Sequence, residues 1–139
     1  MKQRAASGFT LIEVMIAVVL VAILTAIALP AYSEYLKKAA RAEARTILLE
    51  NALVMEQIFT LNNNYNNPKP TLKFQTSPKT GTAKYNISID DAKLTATGYS
   101  LKAVPVKSDK CGTFIIDNTG LRSLENPNGG TVAECWGNG

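Results

Sequence analysis

The 139-residue chain carries 15 Lys and Arg against 11 Asp and Glu, no histidine, two cysteines and 46% apolar residues. That length suits one small domain, and the apolar content is too high for a disordered tail. Without histidine there is no His-ligated metal site, Ser-His-Asp triad or Cys-His pair, and two cysteines cannot build a four-cysteine zinc site, so the composition leans away from an enzyme, while a net charge of +4 is too mild to demand nucleic acid.

In chain order, residues 1–8 are short, small and basic, with Lys2 and Arg4. From Phe9 to Ser33 the only charge is Glu13, and Val14 to Leu29 is apolar except for Thr25. As a helix that run spans ~24 Å, and its flanks bring it to the ~30 Å of a hydrocarbon core. Glu34 to Leu61 is rich in Ala, Leu, Glu, Lys and Arg, which favour helix, and no glycine occurs between Gly8 and Gly81. Ala44, Leu48, Ala52, Met55 and Phe59 recur at helical spacing, with Ile47, Val54, Ile58 and Leu61 beside them, so one face is apolar. Glu34, Lys38, Arg41, Glu43, Thr46 and Glu50 are placed on the wetter sides. The reading is one helix over 9–61, apolar all round over 9–33 and amphipathic over 34–61. Pro30 removes a backbone donor and crowds the carbonyl of Ala26, which predicts a kink there; a boundary between two helices is the alternative.

Asn62 to Thr82 holds five asparagines, three prolines and a glycine and reads as a loop. The period then becomes two. Tyr85, Ile87 and Ile89 form one strand, ended by a turn at Asp90-Asp91. Tyr99, Leu101 and Ala103 form the next. Thr113 to Asp117, a turn at Asn118-Thr119-Gly120 and a return over Leu121 to Leu124 complete a small antiparallel sheet of three or four strands. So small a sheet is marginal alone, and the apolar stripe of the helix is its natural cover. Residues 126–139 are rich in Gly and Asn, with Trp136 beside Cys135.

Three readings of the amino terminus compete. A secretory signal with a cut at Ala26-Ile27-Ala28 would place a carboxylate, Glu13, near the start of its apolar core and would be unusually long. A plain anchor gives Glu13 no purpose. In the third, Glu13 is the informative residue, because a charge within an apolar helix has a partner and a role. Here Gly8-Phe9-Thr10-Leu11-Ile12-Glu13, followed by the apolar run, resembles the class III signal of type IV pilins and pseudopilins. The resemblance implies removal of residues 1–8 by a prepilin peptidase cutting after Gly8, N-methylation of Phe9, and a role in subunit assembly for Glu13 with the Phe9 amine. Pro30 falls where that family commonly disturbs its helix. Asp109-Lys110-Cys111-Gly112-Thr113 and Cys135-Trp136 resemble minor and DNA-uptake pilins of Gram-negative bacteria.

The implied fold is α+β: a long helix packed on a small antiparallel sheet, with residues 62–139 forming loop, sheet and a disulfide-closed tail. Cys111 and Cys135 are the only cysteines, follow a membrane segment and lack C-x-x-C spacing, so a structural disulfide and a periplasmic carboxy-terminal domain are expected. Closing a loop of that length constrains the unfolded chain by ~3.5 kcal/mol. Positive charges are awkward for this topology: Lys37, Lys38, Arg41 and Arg45 follow the apolar run, against Lys2 and Arg4 before it. The expectation keeps the leader inside and gives the later flank to subunit contacts.

Lys69, Lys73, Lys79 and Lys84 occur with no acid between Gln57 and Ile89, in a region that also holds Tyr65, Phe74 and Tyr85. They are candidate DNA contacts, with a solvated loop as the plainer reading. Asn86-Ile87-Ser88 matches a glycosylation sequon, a weak signal. The function expected is a structural pilus subunit without catalysis, metal or cofactor. It would pass from a single-pass inner-membrane form to an extracellular filament, with other pilins, the peptidase, the assembly platform and DNA as partners. The alternatives are a minor DNA-binding competence pilin and a type II secretion pseudopilin.

Overall fold

The computed structural model describes residues 8–137. The basic leader segment ahead of Gly8 lies outside the described residues. The first helix, α1, runs Leu11–Asn62 and continues through Pro30, so the two-helix alternative is not what forms. The chain divides into one unit ending at Leu36 and another beginning at Lys37.

In the first unit every described residue is exposed, including Leu20, Val21, Ile23 and Leu24. Its helix begins with a side-chain cap: the Glu13 N–H donates to Thr10 Oγ1 at 3.3 Å. Thr10-Leu11-Ile12-Glu13 has the Thr-x-x-Glu pattern of a capping box, so Glu13 also has a local reason to sit at the positive end of a helix.

In the second unit, five strands form an antiparallel meander whose spatial order is the sequence order: β1 Thr76–Ser77, β2 Tyr85–Ile89, β3 Ser100–Pro105, β4 Thr113–Asp117 and β5 Arg122–Glu125. A short helix, α2, covers Val132–Trp136. Alternation works as expected on β2, where Tyr85 and Ile87 are buried and Asn86 and Ser88 are exposed. These meet Leu101, Ala103, Phe114 and Ile116 from the sheet and Ala44, Ile47, Leu48 and Met55 from α1 in one core. A fully buried Leu, Ile, Phe or Met contributes roughly 1.5–3 kcal/mol, so the pairing of helix stripe and sheet face supplies most of the driving force.

Four expectations need correction. The sheet has a fifth strand, β1, inside the stretch read as loop; with only two residues it has no period to detect. The tail, to which no helix or strand was assigned, contains α2, capped by Thr131, whose Oγ1 accepts the Glu134 N–H. Leu61, assigned to the apolar face, is 83% exposed. Arg41, assigned to a wet face, is buried.

Candidate functional site

Three regions carry the chemistry. At the amino terminus, Gly8 is exposed, and a Cβ added there would meet no atom within 4 Å. Phe9 and Glu13 lie together with Val14, Ala17, Val18 and Val21 along an open apolar groove of about 390 Å³. Its surface is almost wholly apolar, with Glu13 the one charged residue among the described residues that line it.

The second region is the disulfide loop. Cys111 and Cys135 are bonded, with Cα atoms 5.7 Å apart. Its crossing is tight: Gly112 has a φ of +62°, and a Cβ there would lie 2.5 Å from the Glu125 carbonyl oxygen, so only glycine fits. The helix grips this loop with two arginines. Arg41 donates from Nε to both oxygens of Asp109, at 2.9 and 3.0 Å, and from Nη2 to Oδ2 at 2.7 Å. Arg45 Nη1 donates to the Cys135 carbonyl at 3.0 Å. The positive flank expected to serve subunit contacts therefore spends both arginines within its own domain. Burial pushes the Asp109 carboxyl up, but hydrogen bonds from Arg41 and the Cys111 N–H, with the charge of Arg41, outweigh it and hold the group below the usual carboxylate range. Burial pushes the nearby Tyr85 hydroxyl up to about 12. Trp136 closes the far side of the loop: its ring meets Phe114 edge-on at 5.4 Å, and its Nε1 donates to the Ser123 carbonyl at 3.0 Å.

The third region holds the candidate DNA contacts, and the structure separates them. Lys73 and Lys79 come together around Phe74, with ammonium groups 5.2 and 4.2 Å from its ring centroid. Lys79 is also paired with Glu50 at 2.7 Å. Lys69 is elsewhere, paired with Asp91 at 2.9 Å. Among the described residues Lys84 makes no ion pair. Phe74 is fixed by Asn51, a fully buried residue of α1: its Nδ2 donates to the Phe74 carbonyl at 2.7 Å and its Oδ1 accepts the Phe74 N–H at 3.2 Å. The loop backbone thus gains from a side chain the partners that a strand would supply. Asn51 was missed in the sequence, although a polar residue between Leu48 and Ala52 on an apolar stripe is a readable signal. Tyr65 anchors the loop start, stacked on Phe59 at 4.5 Å. Its hydroxyl and that of Tyr99 both donate to the Glu56 carboxylate at 3.0 Å. Burial first, then the Glu56 hydrogen bond, pushes Tyr65 up to about 12 and Tyr99 further.

The sheet's exposed face offers less to a polyanion. Its lysine, Lys102, is bridged by Asp90 at 3.1 Å and Glu125 at 3.3 Å. Those hydrogen bonds raise its pKa.

Comparison with known proteins adds to this geometry. A family described as "Type IV minor pilin ComP, DNA uptake sequence receptor" matches residues 30–115. The prokaryotic N-terminal methylation motif matches residues 3–29. The chain is 54% identical over 44 residues to a fimbrial protein of Moraxella nonliquefaciens, covering 32% of this chain and 29% of the relative. It is 59% identical over 39 residues to prepilin peptidase-dependent protein D of Escherichia coli K12, covering 28% and 25%. The matches thus span less than a third of the length of these relatives. A type IV pilin structure from Shewanella oneidensis aligns over 68% of this chain and 99% of its own, at 26% identity and a TM-score of 0.47.

Proposed function

The chain belongs to the type IV minor pilin ComP family, and from that premise we propose that it is a prepilin that assembles into an extracellular filament and contacts DNA there. A prepilin peptidase cuts after Gly8, and the new amino-terminal Phe9 is methylated. The product waits in the inner membrane as a single-pass protein with its disulfide-bonded domain in the periplasm, until the assembly platform draws it into a fibre with other pilins. It performs no catalysis of its own.

One observation carries this reading: Val14 to Leu29 is apolar on every side of the helix except at Thr25, and every side is exposed. Such a segment needs an apolar surrounding, first lipid and then the same segment of neighbouring subunits. Glu13 fits both stages. Glu13 and Phe9 line the same groove, and cutting after Gly8 creates a cationic amine on Phe9. In the fibre, the amine of one subunit meets Glu13 of the next, which removes an unpaired charge from an apolar core and fixes the axial register. Pro30 leaves the Ala26 carbonyl without its helical donor, a point where the helix yields during extraction. The disulfide supports an oxidising compartment for the second unit. The DNA reading is supported by the family description and by Lys73 and Lys79 around Phe74.

The test is expression with and without a prepilin peptidase, followed by amino-terminal sequencing and a gel shift with duplex DNA at low and moderate salt. The expected result is a peptidase-dependent amino terminus at methylated Phe9 and a salt-sensitive shift. A cut after Ala28 would overturn the prepilin reading, and no shift at either salt would remove DNA contact.

A further inference from the structure

Resting on the reading of this domain as a DNA-contacting one, we propose that Glu50 is a built-in competitor for the DNA phosphate. It holds Lys79 in an ion pair that a phosphate must displace, and so it lowers the affinity of the surface.

Two consecutive residues of α1 hold the same loop in different ways. Asn51 is fully buried and grips the backbone of Phe74 with two hydrogen bonds. Glu50 is half-buried, and both its carboxylate oxygens accept from Lys79 Nζ, at 2.9 and 2.7 Å. The first grip is fixed and the second can open. At side-chain exposures of 42% for Lys79 and 36% for Glu50, the pair is solvent-screened and weak enough for a phosphate to displace. The Arg41–Asp109 pair, at 7% and 9%, has no such access. When Glu50 lets go, Phe74 still holds the Lys79 ammonium, which lies 4.2 Å from the ring centroid, so the cation stays in place for a new anion. Lys73 and Lys84 have no carboxylate partner among the described residues. Of the two lysines around Phe74, Lys79 is therefore the one whose charge is already neutralised.

The exchange has a salt signature. Each phosphate neutralised on duplex DNA releases counterions and steepens the log–log salt dependence by ~0.9. When Lys79 leaves Glu50 for a phosphate, an ion pair that salt itself weakens is broken, and that offsets part of the slope. Replacing Glu50 by the isosteric amide restores it.

The experiment is fluorescence anisotropy of a labelled duplex with the full chain in non-ionic detergent, across a salt series. Glu50→Gln is expected to bind tighter by a factor of about 1.5 to 5, the range set by an exposed ion pair, with a slope steeper by up to ~0.9. Its melting temperature should stay close to that of the wild type. In a Lys79→Ala background the same change should give no gain. Unchanged or weaker binding by Glu50→Gln would overturn the proposal, as would an equal gain without Lys79. If Lys73→Ala/Lys84→Ala weakens binding while Glu50→Gln does nothing, DNA contact stands and the competitor falls. If neither wild type nor Glu50→Gln binds duplex at low salt, both fall.

Discussion

From Leu11 to Leu36 the helix is exposed on every side, and over Val14 to Leu29 it is almost wholly apolar; from Lys37 onward one apolar stripe, Ala44, Ile47, Leu48 and Met55, faces a shared interior and its buried charge is paired. The same helix therefore serves two solvents. The second unit satisfies itself with a core, a disulfide, the Arg41–Asp109 pair and the Asn51 grip. The first unit must be satisfied from outside. Damage to the second should show as lost folding stability of an isolated subunit. Damage to the first should leave that stability alone and show only where lipid or other subunits supply the surroundings.

The largest effect expected is at Asp109. Asp109→Ala takes the carboxylate away from the buried Arg41 guanidinium and should cost about 3–5 kcal/mol in denaturant unfolding of the second unit. The same group sets an acid limit. Its folded pKa lies below its ordinary value, so its contribution is full above the ordinary aspartate range, near pH 4, and is lost as pH falls through the lower folded value. An Asp109→Asn variant should lack that acid-dependent loss. A wild-type unfolding curve unaffected by Asp109→Ala would erase the contrast between the two units.

Val18→Asp sharpens the comparison from the other side. A carboxylate in the middle of the apolar run should cost ~2.5–3.5 kcal/mol of membrane insertion, read as protein lost from the membrane fraction. The melting temperature of the second unit should not move. A large shift in that temperature would mean the units are not independent.

Asn51→Leu keeps the volume but leaves the Phe74 N–H and carbonyl without their partner. A loss of about 1–3 kcal/mol is expected in thermal unfolding, with weaker DNA contact because Lys73 and Lys79 lose their seat. Trp136→Phe keeps an aromatic ring against Phe114 but removes the bond to Ser123, part of the buried ring and its contact with Arg122, about 1–3 kcal/mol by the same measurement.

How much of this was legible in the sequence follows the range of the interactions. The apolar run, the stripe Ala44, Leu48 and Met55, and the alternation of Tyr85 and Ile87 are local periods, and the structure has them. The disulfide was legible because two cysteines leave one intramolecular pairing. The Arg41–Asp109 pair was not, because the residues are 68 apart and Arg41 lies among charges that read as a solvated flank. β1 was hidden by its length and the prolines of the surrounding loop, and α2 by a Gly-rich context. At the candidate DNA surface, the sequence listed lysines in a row. Only the fold distinguishes Lys69, paired with Asp91, from Lys73 and Lys79 around Phe74.

The central claim is that the first unit is built to be processed and then buried among its copies. Intact mass spectrometry on filaments sheared from the cell surface tests it most directly. The predicted species lacks residues 1–8, carries one methyl group on Phe9 and is two hydrogens light from the disulfide. An uncut amino terminus, a cut after Ala28, or processed protein confined to the inner membrane and absent from the sheared fraction would contradict it.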